Sequence, residues 1–338
     1  MNKKNQYVTC WLNISIYIIV LMVLIGGITR LTNSGLSITN WKPLMGIIPP
    51  ISEKDWVEEF ETYKKYPEYK KINNQMALKE YKKIYFWEYL HRMLGRFIGV
   101  LFIIPFSLFY FNNYIKEKFT FNFIVLFALG LMQAVAGWMM VKSGLVDNPN
   151  VSHYRLAIHL VLALLIIGYT YWTKLSLINL KEHKIKKFQY FNSLLNFIFI
   201  IFFLQIIYGA FTAGLSKEGL WNTFPLINEA YIPSGIFSME PIMLNFIKNN
   251  KTILFLHPYI GICLMFLIFL FCYQIQKYES NIYYQYLVLV VFAQVILGML
   301  TLISKSSILL ALMHQVSAIL LMLILLKIKH LLKYSKKS

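Results

Sequence analysis

Eight apolar stretches, each close to the length needed to cross a bilayer, constrain this chain more than any motif in it. A spanning helix needs about 20 predominantly apolar residues, because the hydrocarbon offers no water to satisfy exposed backbone groups. The stretches are 11–29, 84–111, 119–141, 153–172, 188–212, 253–275, 282–303 and 307–328. They explain why 58% of the residues are hydrophobic and only 14% charged, where soluble domains carry about 25% charge. The expected fold is an all-α integral membrane protein: eight transmembrane helices forming two pseudo-symmetric four-helix bundles, 1–187 and 188–338.

A net charge of +18 would suggest nucleic acid as a partner of a soluble protein. Here Lys and Arg gather in alternate loops: Lys3 and Lys4, Lys116 and Lys118, the 181–187 run, Lys277, and the 327–337 tail. By the positive-inside rule these face the cytoplasm, which puts both termini of a multi-pass membrane protein inside; the expected location is a bacterial cell (inner) membrane. The expected partner is therefore membrane lipid and not nucleic acid. The Lys residues of the first outer loop, 31–83, are balanced by Glu and Asp. Within it, 53–81 alternates charged and aromatic residues, as a helix lying at the interface would. The second outer loop, 213–252, holds Pro225, Pro233 and Pro241 and is expected to be irregular. Cys10, Cys263 and Cys272 lie in or beside apolar stretches, where they read as small buried side chains rather than a disulfide framework. Apolar sequence begins within about ten residues of the N-terminus, leaving no room for a transit peptide, and the first stretch reads as a retained anchor.

The two halves repeat. Gln133-x-x-x-Gly137 in the third stretch matches Gln294-x-x-x-Gly298 in the seventh. His91-x-x-x-Gly95 matches His257-x-x-x-Gly261, and His159 in the fourth stretch answers His314 in the eighth. Trp41-Lys42-Pro43-Leu44 after the first stretch parallels Thr223-Phe224-Pro225-Leu226 after the fifth. With four spans per half, the repeat is parallel, about an axis along the membrane normal.

His183 and His330 sit among lysines and read as solvated, and His153 falls where the fourth span meets the outer surface. His91, His159, His257 and His314 lie inside spans, each roughly seven residues from the outer end, hence about 10 Å below the interface. Ionisable groups at such depth are costly and mark function. Four at one level, on every second helix, form two facing pairs: His91 with His159 and His257 with His314. Zinc wants three or four ligands, whereas heme iron takes two axial imidazoles and its ring needs apolar walls. Gly95 and Gly261, one turn below their histidines, leave space for a ring edge. Arg30, Arg92, Arg96 and Arg155 all fall at or near the outer level of the first half, where a guanidinium fork could hold a propionate. Glu88, three residues before His91 and on its face, is the one acid well inside a span, and the second half has Leu254 there. Such a carboxyl could move protons. Its bland alternative is an ion pair with Arg92.

Arg30-Leu-Thr-Asn-Ser-Gly-Leu-Ser-Ile-Thr-Asn-Trp41-Lys-Pro-Leu-Met-Gly resembles the signature after the first helix of the heme A synthase family. Glu88-Tyr-Leu-His91-Arg92-Met-Leu-Gly95-Arg96, His153-Tyr-Arg-Leu-Ala-Ile-His159-Leu and Ala311-Leu-Met-His314-Gln315 resemble its second, fourth and eighth helices. The resemblance implies oxidation of the C8 methyl of heme O to a formyl group by two hydroxylations, giving heme A for cytochrome oxidase biogenesis. It implies a heme b cofactor on His257 and His314 in 188–338. Substrate heme O would be addressed by His91 and His159 in 1–187. Glu88 matches the family's essential acid, and Arg30, Arg92, Arg96 and Arg155 would meet substrate propionates. Heme O synthase and an electron donor are implied partners, and a homo-oligomer is compatible. The first outer loop lacks the cysteine pair of one branch, so the chain resembles the cysteine-free branch of many proteobacteria and mitochondria. Pro258 follows His257 where the family usually has Arg, which removes a propionate contact and should kink that helix. The alternative readings are a diheme b-type membrane cytochrome taking electrons from quinol, and a transporter with interhelical histidine bonds.

The alternating lysines predict that reporter fusions at Lys181 and Glu229 report the inside and the outside respectively. Both reporters on one side would overturn the eight-span topology.

Overall fold

The computed structural model describes residues 3–40, 45–146, 149–178, 183–185, 188–215, 223–227, 230–333 and 335–337. Along the chain run α1 (Lys3–Leu31), α2 (Glu53–Tyr63), α3 (Pro67–Lys71), α4 (Leu78–Phe111), α5 (Glu117–Gly144) and α6 (His153–Leu177). They are followed by α7 (Phe188–Gly214), α8 (Asn245–Lys248), α9 (Asn250–Ile275), α10 (Ile282–Ile303) and α11 (Ile308–Lys333). Eight of these, all but α2, α3 and α8, are long and apolar enough to cross a membrane. The strands among the described residues are one parallel pair of three residues each, His183–Ile185 and Ser335–Lys337. The protein is thus an all-α, eight-span membrane protein. Trp41-Lys42-Pro43-Leu44 lies outside the described residues, as do most of 181–187 and Glu229.

The chain divides into two compact units, Asn13–Ile166, and Met1–Leu12 together with Ile167–Ser338. In the first, α2 and α3 take the place of the single helix expected over 53–81. Ser52 and Asp55 form a capping box that starts α2. Pro67 at the first turn of α3 forces a new start there. α2 packs onto the first turns of α4 through Phe60 and Tyr63 against Tyr81 and Tyr85, all buried, and Tyr69 of α3 packs against the same cluster. Phe60 and Tyr63 each lie 5.0 Å, ring to ring, from Tyr81, and aromatic pairs of this kind add about 0.5–1.5 kcal/mol each beyond burial. This support lets α4 begin at Leu78, well ahead of its apolar stretch. His91 is therefore the fourteenth residue of α4, whereas His159, His257 and His314 are the seventh, eighth and seventh of their helices.

In the second unit, α10 packs on α9 and α11, and α7 packs on α9 and α11. Leu195, Ile198, Phe202, Ile268, Phe271, Leu287, Val291, Leu325 and Ile328 make the core. α9 runs through Pro258 as one helix. Ahead of α9, Asn245 and Asn249 organise the irregular loop. The Asn245 side chain receives Met239 N–H at 3.0 Å and donates to the carbonyls of Met239 and Ile242. Asn249 donates to Gly235 O at 2.9 Å and to Asn245 Oδ1 at 2.9 Å, and accepts from Lys251 N–H as the cap of α9. Thr252 adds a hydroxyl bond to Ile236 O.

Two expectations are corrected here. His330 is not solvated: it is 1% exposed, edge-on to Trp172 with ring centres 5.0 Å apart, and 3.4 Å from Ser176 Oγ. The apolar stem of its helix carries it inward past the lysines. Of the cysteines only Cys272 is buried, while Cys10 and Cys263 are exposed on the outer faces of their helices, where lipid tolerates a small apolar thiol as readily as a core does.

Outside the spans, Glu68 is buried beside Tyr63, whose hydroxyl donates to it at 3.0 Å and receives the Asn73 amide at 2.8 Å. Burial raises the Glu68 carboxyl from 4.5 to about 7, against the opposing Tyr63 hydrogen bond and with help from the negative charge of Glu88. The folded cap thus binds this proton more tightly than the unfolded chain. The stability it contributes is complete below about pH 4.5 and is lost as pH rises through about 7. Hydrogen exchange over 53–77 should therefore become faster across that interval, and Glu68→Gln should flatten the dependence. A wild-type cap that tightens with rising pH would contradict this.

Candidate functional site: paired histidines backed by glycines

Each of the four histidines lies against a glycine of a neighbouring helix. A Cβ placed on Gly26, Gly137, Gly209 or Gly298 would stand 2.9 Å from Cε1 of His91, His159, His257 or His314 respectively. That is closer than a side chain can approach without displacing the ring. The absence of a Cβ lets α1 meet α4, α5 meet α6, α7 meet α9 and α10 meet α11 at the imidazole, the close approach small residues allow between membrane helices. The same contact recurs four times, twice in each unit.

Each imidazole keeps some accessible surface, while Nδ1 of His91, His159 and His257 is sealed without a hydrogen bond. Nδ1 of His314 sits 3.1 Å from the Gln294 carbonyl. The rings of His257 and His314 are 6.4 Å apart between centres and nearly perpendicular, at 88°. Two metal–imidazole bonds of about 2.0–2.1 Å span about 4 Å, and the distance from each ring centre to its nitrogen takes up the remainder. His91 and His159 lie within electrostatic reach of each other. Among the described residues no three His, Cys, Asp or Glu side chains converge on one point. The donor set is therefore paired imidazoles in apolar surroundings, which fits the two axial positions of a heme iron and not a tetrahedral zinc.

Gly95 and Gly261 do not simply leave space for a ring edge. Gly95 faces Met22 Cε at 3.4 Å, and Gly261 faces Gln205 Nε2 at 3.0 Å. Met22 and Gln205 each lie four residues before the backing glycine of their own helix, as Gln133 and Gln294 do. Glutamine-x-x-x-glycine thus occurs three times, with methionine in the fourth copy. The spacing Gln205-x-x-x-Gly209 in α7 is legible in the sequence beside the matching copies in α5 and α10.

Glu88 is 3% exposed and every acceptor direction of its carboxylate is used. Arg92 donates to Oε1 from Nη2 at 2.6 Å and Nε at 3.1 Å. Ser37 Oγ and Ile38 N–H donate to Oε2 at 2.7 and 2.8 Å. Arg92 Nη2 also donates to Ile38 O at 2.8 Å, and Tyr81 OH to Ser37 O at 3.1 Å. The acid therefore ties α4 to the loop after α1 and fixes one face of Arg92. Ser37 and Ile38 lie within the motif that begins at Arg30, but nothing in the sequence marks them as the partners of Glu88.

Arg92 and Arg96 line a cleft of about 310 Å³ with Ile38, Tyr85, Glu58 and Glu59. Arg96 also rests against Met93 Sδ at 3.5 Å. Arg155 donates to Met139 O at 2.6 Å. Arg30 ends α1. Arg92 and Arg96 are thus brought to one cleft, while Arg155 is engaged at the end of α5.

Fold and site together define a polytopic membrane protein whose buried histidines come in pairs suited to heme. Residues 9–326 match the pattern of the family described as cytochrome oxidase assembly protein (COX15-CtaA). A protein of Parvibaculum lavamentivorans named heme A synthase is 40% identical over 315 residues, 93% of this chain and 91% of that protein. Proteins of the same name from Wolbachia pipientis and Nitrosospira multiformis are 39% identical over 316 residues and 38% over 333. They are covered over 89% and 93% of their lengths, by 93% and 96% of this chain. The chain belongs to the cytochrome oxidase assembly protein family.

The glycine contacts generate a direct test. Gly209→Ala should push His257 off its position and cost the purified protein most of any bis-imidazole heme absorption. Gly99→Ala, where nothing lies within 4 Å of an added Cβ, should leave the spectrum unchanged. Equal spectra for the two variants would refute the backing role of Gly209.

Proposed function

We propose that this chain is a heme A synthase of a bacterial inner membrane, with both termini in the cytoplasm, that converts the C8 methyl of heme O to a formyl group. The observation that carries the reading is the duplicated set of glycine-backed histidines, in a chain 40% identical over 93% of its length to a protein of that name. The reaction is two successive hydroxylations of the methyl, giving a geminal diol that loses water.

The half 188–338 serves the cofactor. His257 and His314 hold heme b there, which supplies one-electron redox chemistry. The half 1–187 serves the substrate. His91 and His159 would address the iron of heme O, and Arg92 and Arg96, facing one cleft, would meet its propionates together with Arg30 and Arg155. Glu88 contributes through what it holds. Four donors surround its carboxylate, so it fixes the direction of Arg92 and the position of Ser37 and Ile38. A misplacement of about 1 Å in such a contact can cost on the order of 10²-fold in rate. The methyl-to-formyl conversion is a four-electron oxidation, so the remaining partners this reading requires are a source of heme O, an external oxidant with a source of the inserted oxygen, and an electron-transfer partner.

His257→Ala or His314→Ala should remove low-spin heme b absorption while the protein still inserts. Glu88→Gln should keep that absorption yet accumulate heme O or its hydroxylated intermediate, with heme A down on the order of 10²-fold. Glu88→Asp should restore part of the product. Wild-type heme A from Glu88→Gln would remove Glu88 from the reaction, and a full bis-histidine spectrum in both histidine variants would overturn the cofactor site.

A further inference from the structure

Gln133 and Gln294 stand over the ring nitrogens that the heme reading gives to iron. Gln294 Nε2 is 3.4 Å from His314 Nε2, and Gln133 Nε2 is 3.4 Å from His159 Nε2. The other ring nitrogen of His314, Nδ1, faces the backbone carbonyl of the same residue, Gln294, at 3.1 Å. A carbonyl can only accept, so Nδ1 carries the proton and Nε2 presents its lone pair. The amide group facing that lone pair must then be the donating NH2. One residue thereby addresses both ring nitrogens: its main chain sets the tautomer and its side chain covers the lone pair that the tautomer exposes.

The amides make this contact in a costly way. Oε1 of Gln133 and of Gln294 is buried without any hydrogen-bond partner, and buried polar atoms left unpaired are rare enough to need a reason. The N···N contact of 3.4 Å is also long for a hydrogen bond. An amide held loosely by one weak contact, with its oxygen unpaired, is a group placed to move.

We propose that Gln133 and Gln294 are positioning residues whose side-chain amides compete with heme iron for the Nε2 lone pairs of His159 and His314, and that the Gln294 main chain also holds His314 in the Nδ1–H tautomer. The proposal rests on the heme reading of the histidines. An amide hydrogen and an iron are alternative partners of one lone pair, so the amide takes over the nitrogen as the iron leaves. In the substrate half this eases exchange of one heme for the next. In the cofactor half it sets how readily the resident heme is lost.

The test is transfer of heme from the purified holoprotein to excess apomyoglobin, followed by absorbance. Gln294→Leu removes the competitor and should slow transfer about fivefold, the worth of one neutral hydrogen bond. Gln294→Asn, its amide one carbon short of the ring, should slow it likewise and covers the case in which Leu prevents folding. Gln294→Glu places a stronger partner on Nε2, whether as an acid O–H or as a carboxylate paired with imidazolium, and should speed transfer. A residue that merely packs would lose heme faster in all three variants. Transfer from Gln294→Leu and Gln294→Asn as fast as wild type, or faster, overturns the proposal. If His314→Ala retains the bis-histidine spectrum, it is the heme reading that has failed, and the glutamine result is then not needed to tell the two apart.

Discussion

The close approach of glycine to imidazole is the constraint on which the rest of this structure depends. A histidine within a bilayer is tolerated only where neighbouring helices enclose it. Enclosing it means bringing a second helix within van der Waals reach of the ring, and here the backbone comes so close that an added Cβ would stand only 2.9 Å from the ring, so only a residue without one fits. The helix pairs of both units are therefore set at their glycines. Packing elsewhere along α10 and α11, or α7 and α9, follows from that distance: leucine, isoleucine and phenylalanine fill whatever separation the contact leaves.

The unit Asn13–Ile166 adds a second organising element, the carboxylate of Glu88. An ion pair enclosed this far from water gives little net stability, because desolvation offsets most of the attraction. Its use is geometric. With donors from Arg92, Ser37 and Ile38, Glu88 joins a helix, a loop and a cationic side chain in one arrangement. The aromatic cap over Tyr81 and Tyr85 presses on the same loop, since Tyr81 reaches the Ser37 carbonyl. The second unit has Leu254 in place of the acid and ties down its own outer loop with neutral amides instead.

Much of this was legible in the sequence, for physical reasons. Spans announce themselves because the bilayer demands unbroken apolar length, and all eight were readable from composition alone. The histidines stood out because ionisable groups are so rare at that depth. What was not legible depended on neutral groups and on packing. Gly26, preceded by Met22 rather than glutamine, has nothing to mark it as backing His91, since glycine is common in membrane helices, whereas Gly209 shares the glutamine spacing of Gly137 and Gly298. Ser37 and Ile38 lie in a recognisable motif, but a hydroxyl and a main-chain N–H do not announce that they bind Glu88. α4 starts early because aromatic residues distant in sequence support it, which no local pattern conveys. His330 was misjudged because its lysine neighbours are informative about the helix end but not about which way the ring turns.

The asparagine hub before α9 grips the loop 235–242 by its main chain: Asn245 and Asn249 bond to the carbonyls of Gly235, Met239 and Ile242 and to the Met239 N–H, not to any side chain there. Every residue offers such carbonyls, and every residue but proline the N–H, so the side chains at the exposed Met239 and Ile242 are nearly uncoupled from the shape of the loop. Gly235 is the exception, because its backbone turns through the left-handed region at φ +81°. The outer surface of the segment is thus open to whatever chemistry a given membrane or neighbour favours, so long as the glycine turn and the two asparagines hold the entrance to α9 in its form.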